Sequence, residues 1–128
     1  MRYLLDTHTY LWFRAAPGLL PANVLDILTD TSHQGYISIV TPWEIAIKSG
    51  TGKLEATALL TNFEARETAA GFIFAPPTTT QAILSGLLPR HHRDPFDLLL
   101  IAQAIDLRLP IISSDIAFDL YEVQRIWE

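Results

Sequence analysis

Short apolar runs alternate along this chain with segments spaced for helices, and that alternation restricts the fold more than any other feature. Arg2–Leu5 is an apolar run that ends at an acid, and it reads as a buried strand. Tyr36–Val40, Phe72–Phe74, Pro110–Ile112 and Val123–Trp127 read as further strands. Between them Thr9–Phe13 reads as a short helix, and Pro21–Thr31 carries Val24, Leu25, Ile27 and Leu28 at helical spacing. Thr41–Ser49, Ala56–Ala70, Thr79–Leu87 and Pro95–Leu107 read as the remaining helices. Strands joined through helices imply an α/β fold with a mostly parallel sheet. Open sheets of this kind bind ligands beyond the carboxyl ends of their strands.

A chain of 128 residues with 49% hydrophobic residues suits one domain, spanning 1–128, with one well-filled core. There is no cysteine, which fits a reducing compartment. Asp6 interrupts the apolar N-terminal run, so it makes a poor signal peptide. No stretch approaches the roughly 20 apolar residues that span a bilayer. A cytoplasmic protein without membrane contact is expected. The formal net charge of −5 argues against nucleic-acid binding unless several acids hold metal, because bound divalent ions reverse the local sign. Arg90, His91, His92 and Arg93 form a dense basic run, and Lys48 lies close to Lys53. Both groups read equally well as solvated surface.

The acids fall at places where such sheets do chemistry. Asp6 follows the first strand, and Asp115 follows Ile111–Ile112 after Ser113 and Ser114. Each reads alternatively as a turn or helix-capping aspartate. In Thr41-Pro42-Trp43-Glu44 the pattern is a capping box, with Thr41 as cap and Glu44 in the first turn. Asp94-Pro95-Phe96-Asp97 repeats it, with Asp94 as cap and Asp97 at the third helical position. Taken together, four segments bring acids toward one sheet edge. Clustered carboxylates repel unless a cation joins them, and hard ions such as Mg²⁺ or Mn²⁺ prefer oxygen ligands. A metal-activated water can then attack a phosphodiester. Zinc fits less well, since cysteine is absent and His91 and His92 are adjacent. There is no glycine-rich phosphate loop and no G-x-S-x-G elbow. Ser113 can therefore be assigned to orienting Asp115, to touching a phosphate, or to satisfying local backbone.

Four motifs in order resemble the PIN-domain family, and within it the VapC-type toxins of toxin–antitoxin pairs. They are Leu4-Leu5-Asp6-Thr7-His8; Trp43-Glu44-Ile45-Ala46-Ile47-Lys48 with Gly52-Lys53-Leu54; His92-Arg93-Asp94-Pro95-Phe96-Asp97 running into Leu100-Ile101-Ala102-Gln103-Ala104; and Ile112-Ser113-Ser114-Asp115 with Phe118 and Tyr121. The resemblance spans essentially the whole chain. It implies a three-layer fold with a central, mostly parallel sheet flanked by helices. It also implies a Mg²⁺-dependent endoribonuclease, Mn²⁺ serving as an alternative ion. The catalytic and metal-binding acids would be Asp6, Glu44, Asp97 and Asp115, with Asp94 and Ser113 auxiliary. Lys48, Arg90, His92 and Arg93 would hold RNA phosphates. A VapB-like antitoxin and a second copy of the chain would be partners, and Leu11, Trp12, Phe13, Leu19 and Leu20 read either as a partner surface or as core. Leu98 stands where this branch often has a basic residue.

Two other readings stay open. One is a PIN-like module that binds RNA or protein without cleaving it. The other is a phosphoryl-accepting α/β domain. Against the second, His8 stands where the dehalogenase pattern wants a second aspartate, and Ser113 and Ser114 stand where a receiver pattern wants lysine.

Overall fold

The strands run nearly continuous in apolar residues because both faces of the sheet are covered. The computed structural model describes residues 1–128. Its strands are Arg2–Leu5 (β1), Gln34–Ser38 (β2), Ile73–Ala75 (β3), Ile111–Ile112 (β4) and Arg125–Ile126 (β5). They pair in parallel in the order β3-β2-β1-β4-β5. The helices are Thr7–Ala15 (α1), Ala22–Thr29 (α2), Val40–Gly50 (α3), Phe63–Ala69 (α4), Thr79–Leu87 (α5) and Pro95–Leu107 (α6). This is a three-layer α/β fold. No helix is long and apolar enough to cross a membrane.

The pleat divides the interior in two, because successive strand residues face opposite sides. Tyr3, Leu5 and Ile112 pack with Tyr10 of α1, Val24 and Leu28 of α2 and Phe63 of α4. Leu4 and Ile111 pack on the other face with Leu98, Ile101 and Ala104 of α6 and with Phe118. Leu4, Leu5, Ile111 and Ile112 are all fully buried. Each such side chain contributes roughly 1.5–3 kcal/mol of transfer free energy. The central pair β1–β4 is thereby anchored from both faces, although β4 is only two residues long. From β1 the chain winds outward through β2 and β3, then returns to place β4 on the other side of β1. The winding direction reverses between β1 and β4, the place in such sheets beyond whose carboxyl ends ligands bind.

Three departures from the sequence reading have physical causes. β2 ends at Ser38, and α3 begins at Val40 instead of after Thr41. The Ser38 hydroxyl accepts the Val40 N–H at 3.0 Å, so the helix starts without a Thr41 cap. Thr41 is buried with its hydroxyl 3.3 Å from that of Thr7, and the capping-box assignment of Glu44 is overturned. Second, Ala56–Ala70 is not one helix. Asn62 adopts φ 51°, separating a 3-10 turn at Thr57–Leu60 from α4. The Arg66 guanidinium donates to the carbonyls of Thr61 at 2.9 Å and Leu59 at 2.5 Å, satisfying the interrupted backbone. Third, α1 extends well past Thr9–Phe13, because Asp6 caps its first turn.

Gly35 shows how tightly β1, β2 and the start of β3 are packed. A Cβ there would lie 2.6 Å from the Phe72 ring and 2.7 Å from the Tyr3 hydroxyl. Gly35→Ala should therefore destabilise the protein by about 1–3 kcal/mol. Denaturant unfolding checks this, and an unchanged midpoint would refute the close approach.

Candidate active site

Asp6, Asp94 and Asp115 each use one carboxylate oxygen to cap a helix and turn the other toward a shared cluster. Asp6 Oδ1 accepts the His8 N–H at 2.6 Å, while its Oδ2 accepts the Ser113 hydroxyl. Asp94 Oδ1 accepts the Phe96 N–H at 2.9 Å, and its Oδ2 lies 3.6 Å from Lys48 Nζ. Asp115 Oδ1 accepts the Ala117 N–H at 2.9 Å, capping the 3-10 turn Ile116–Leu120, and its Oδ2 lies 2.9 Å from His92 Nε2. Capping and site formation, which the sequence presented as rivals, are thus met by different oxygens of one side chain.

Glu44 and Asp97 cap nothing. Glu44 projects from the interior of α3, buried, with one oxygen paired to Lys48 and Oε1 without a hydrogen-bond partner. Asp97 sits at the third position of α6, with Oδ2 3.0 Å from His92 Nε2. His92 is placed by its loop. Its N–H donates to the Tyr121 hydroxyl at 2.9 Å, and that hydroxyl donates to the Pro89 carbonyl at 2.6 Å. Its Nδ1 accepts the Asp94 N–H at 3.2 Å. Nδ1 is therefore the acceptor, and it is the Nε2–H that points at Asp97 and Asp115.

Too many negative groups share too little water. Asp97 is pushed up to about 8, chiefly by burial and then by Asp94, Asp6, Glu44 and Asp115. Burial also raises Asp6. The Ser113 hydroxyl and His8 N–H oppose that shift without cancelling it, and the Glu44 charge adds to it. Lys48 is raised: burial works against its charge, but the hydrogen bond and charge of Glu44, with Asp94 and Asp97 nearby, prevail.

The five acids, Asp6, Glu44, Asp94, Asp97 and Asp115, come from four separate segments and act on one another. Two of the basic residues assigned to phosphates, Lys48 and His92, lie among them, not outside. Arg90 and Arg93 are exposed and pair with no acid within 4 Å, and Arg90 donates to the Gly86 carbonyl at 3.1 Å. Leu98 is buried in the second core, where it contributes packing and no charge. Of the apolar residues read as partner surface or core, Leu20 is core. Leu11, Trp12 and Phe13 pack half-buried against it, and Leu19 is exposed. Sequence reasoning missed the bridging position of His92. Its adjacency to the Asp94 cap was the available signal.

The donor set suits a hard divalent ion. It is rich in carboxylate oxygen, and one buried oxygen of Glu44 lacks any partner. The tautomer above makes His92 a donor to the carboxylates, which leaves the oxygens to bind metal.

The PIN domain family model matches residues 3–123. The chain belongs to the PIN-domain family. No curated protein sequence matches it. Among solved structures it is similar to VapBC2 from Rickettsia felis, bound to a DNA fragment from the promoter, with TM-score 0.72 and 16% identity over 100% of both chains. DNA-bound VapBC from Salmonella typhimurium aligns with TM-score 0.70 and 17% identity, over 98% of this chain and 97% of that one. VapBC-5 from Mycobacterium tuberculosis, of the VapBC family of toxin-antitoxin systems, aligns with TM-score 0.55 and 21% identity, over 98% of each chain. At these identities the likeness shows the fold.

Proposed function

We propose that this chain is a metal-dependent endoribonuclease of the VapC kind, the toxin of a toxin–antitoxin pair. One observation carries the reading: acids from four segments converge beyond the carboxyl ends of the central strands, with a partnerless buried oxygen on Glu44 and a raised Asp97. A cluster so short of positive charge calls for a cation. Asp6, Glu44, Asp97 and Asp115 would hold Mg²⁺ or Mn²⁺, with Asp94 auxiliary. When bound, such an ion supplies charge to stabilise the phosphoryl oxygens and acidity to a water molecule.

The protein's own groups prepare this. The His8 N–H and Ser113 hydroxyl fix both oxygens of Asp6. Ser113 in turn accepts the Asp115 N–H at 3.0 Å, so one hydroxyl sets two acids. The His92 Nε2–H holds Asp97 and Asp115 together. Ser113→Ala should weaken Mn²⁺ binding about 10–100-fold, the usual effect of losing a group that orients a ligand. Calorimetric titration reads this directly, and an unchanged affinity would remove Ser113 from the site.

Arg90 and Arg93, exposed beside the cluster, suit RNA phosphates, whereas Lys48 is already paired with Glu44 and Asp94. A VapB-like antitoxin in the cytoplasm is the partner this reading implies, and the VapBC complexes among the similar structures support it. A homodimer is supported by exposed apolar side chains such as Leu87 and Ile116, and a solution mass of twice 14.3 kDa checks it. The phosphoryl-accepting alternative fares poorly, because Ser113 and Ser114 follow β4 where a receiver pattern wants lysine. The direct test is incubation with total cellular RNA. Discrete cuts are expected with Mg²⁺, none with chelator, and recovery on adding Mn²⁺. Metal binding without any cut would favour a non-cleaving module.

A further inference from the structure

Beside the acids lies a cavity of about 250 Å³ whose purpose the metal site does not explain. Glu44 and Lys48 line it and join it to the acidic cluster. Leu11 and Leu54 give it apolar lining, and His8 and Lys53, both exposed, complete it. Its size is below the roughly 300–1,000 Å³ of a drug-sized pocket, so it suits one unit of a longer chain.

The backbone is arranged to bring Lys53 there. α3 ends at Gly50, and Gly52 takes φ 76°, which a side chain rarely adopts. The chain then doubles back, and the Lys53 N–H donates to the Lys48 carbonyl at 2.9 Å. Lys48 is spent on Glu44 and Asp94, whereas Lys53 has no carboxylate within 4 Å. His8 is exposed, and its ring lies 6.2 Å from Trp12, tilted by 59°. A free cation, an imidazole face and two leucines around one small cavity match a phosphate and its base. We infer that this cavity receives an unpaired nucleotide flanking the scissile phosphate, with Lys53 on its phosphate and its base between His8 and the wall of Leu11 and Leu54. This rests on the ribonuclease reading and adds to it a nucleotide subsite on the α3 side of the metal.

The test uses the full chain carrying Asp6→Asn to prevent cleavage, with a fluorescent random-sequence RNA 12-mer as probe. Adding Lys53→Ala should weaken binding about tenfold at low salt and lower the slope of log affinity against log salt by about 0.7, the share of one phosphate on a single strand. Adding His8→Ala should weaken binding about fivefold and leave that slope unchanged, as loss of stacking does. Arg2→Ala, which removes an exposed charge at the amino end of β1, is the control and should change little. Equal losses from Lys53→Ala and Arg2→Ala, no change in affinity and slope on Lys53→Ala, or no binding of the probe by Asp6→Asn itself each overturn the subsite. If the unmutated chain cuts RNA with Mg²⁺ while Lys53→Ala binds normally, the subsite fails and the ribonuclease reading stands. If Lys53 and His8 behave as expected but nothing is cut, the reverse holds.

Discussion

Replacing Asp97 with asparagine should abolish metal-dependent RNA cleavage and, in the same protein, raise its melting temperature in chelator. The two effects share one cause. Asp97 is held among Asp94, Asp6, Glu44 and Asp115 in a partly buried site, which lifts it from its ordinary 3.8 to about 8. The unfolded chain loses that proton near its ordinary value, while the folded chain keeps it until about pH 8. Between those values the unfolded state binds fewer protons, so stability falls as pH rises through the window. Asparagine removes the charge and with it the loss, a gain of several kcal/mol at pH 8, at about 1.4 kcal/mol for each pH unit between the two values. The gain should shrink toward zero at pH 4.5, where wild-type Asp97 keeps its proton in the fold at little cost. Cleavage should fall by about 1,000-fold or more, since Asp97 as a ligand of the proposed metal would act together with its partners. Thermal scans in chelator at the two pH values, paired with a single-turnover cleavage assay, check both halves. An asparagine variant less stable than wild type at pH 8 would mean that the acids do not repel one another as described.

The second large effect lies away from the site. Glu67 of α4 is fully buried, and three donors meet it from α1: the Tyr10 hydroxyl at 2.5 Å, Arg14 Nε at 2.9 Å, and Arg14 Nη2. The Arg14 guanidinium also lies 4.8 Å from the centre of the Phe13 ring. Arg14→Ala leaves the carboxylate buried with Tyr10 and Arg66 as its remaining partners. Breaking a buried pair by removing one partner costs about 3 kcal/mol, a fall of roughly 10 °C in melting temperature for a chain of this length. Arg14→Lys keeps the charge but loses the two-pronged contact, and should fall between. Burial alone would raise Glu67, but the hydrogen bonds from Arg14 and Tyr10 and the charges of Arg14 and Arg66 outweigh it and hold the group low. Its contribution is therefore present above the ordinary carboxylate range and is lost as pH falls through the lowered value. The gap between wild type and Arg14→Ala should narrow on acidification in chemical denaturation. A gap that is absent at pH 7 would contradict the buried pair.

The strands were legible because their composition is one-sided: Leu4-Leu5 and Ile111-Ile112 have only one place to go in a small α/β protein. The place of Asp6 was legible for a related reason, since it directly follows β1, whereas Glu44 lies inside α3 and Asp94 and Asp97 follow a helix, not a strand. What local sequence concealed was where α3 begins. Thr41-Pro42-Trp43-Glu44 satisfies a capping rule in isolation, but Ser38 and the buried Thr7–Thr41 contact are long-range facts that shift the helix start toward β2. That shift places Glu44 one turn inside the helix, where its carboxylate is free for the cluster. The break at Asn62 was hidden likewise, because it depends on Arg66 reaching the carbonyls of Leu59 and Thr61. The position of His92 depends on Tyr121, which lies 29 residues away.

The most direct measurement compares wild type with Asp6→Asn on total cellular RNA, with Mg²⁺ and with chelator, mapping every new RNA end. Asparagine keeps the size and one acceptor oxygen of this nearly fully buried side chain while removing one charge from the proposed metal-binding set. The account predicts discrete cuts by wild type only when Mg²⁺ is present, and none by a normally folded Asp6→Asn protein. Cuts that persist in the variant, or that survive chelation, would contradict it.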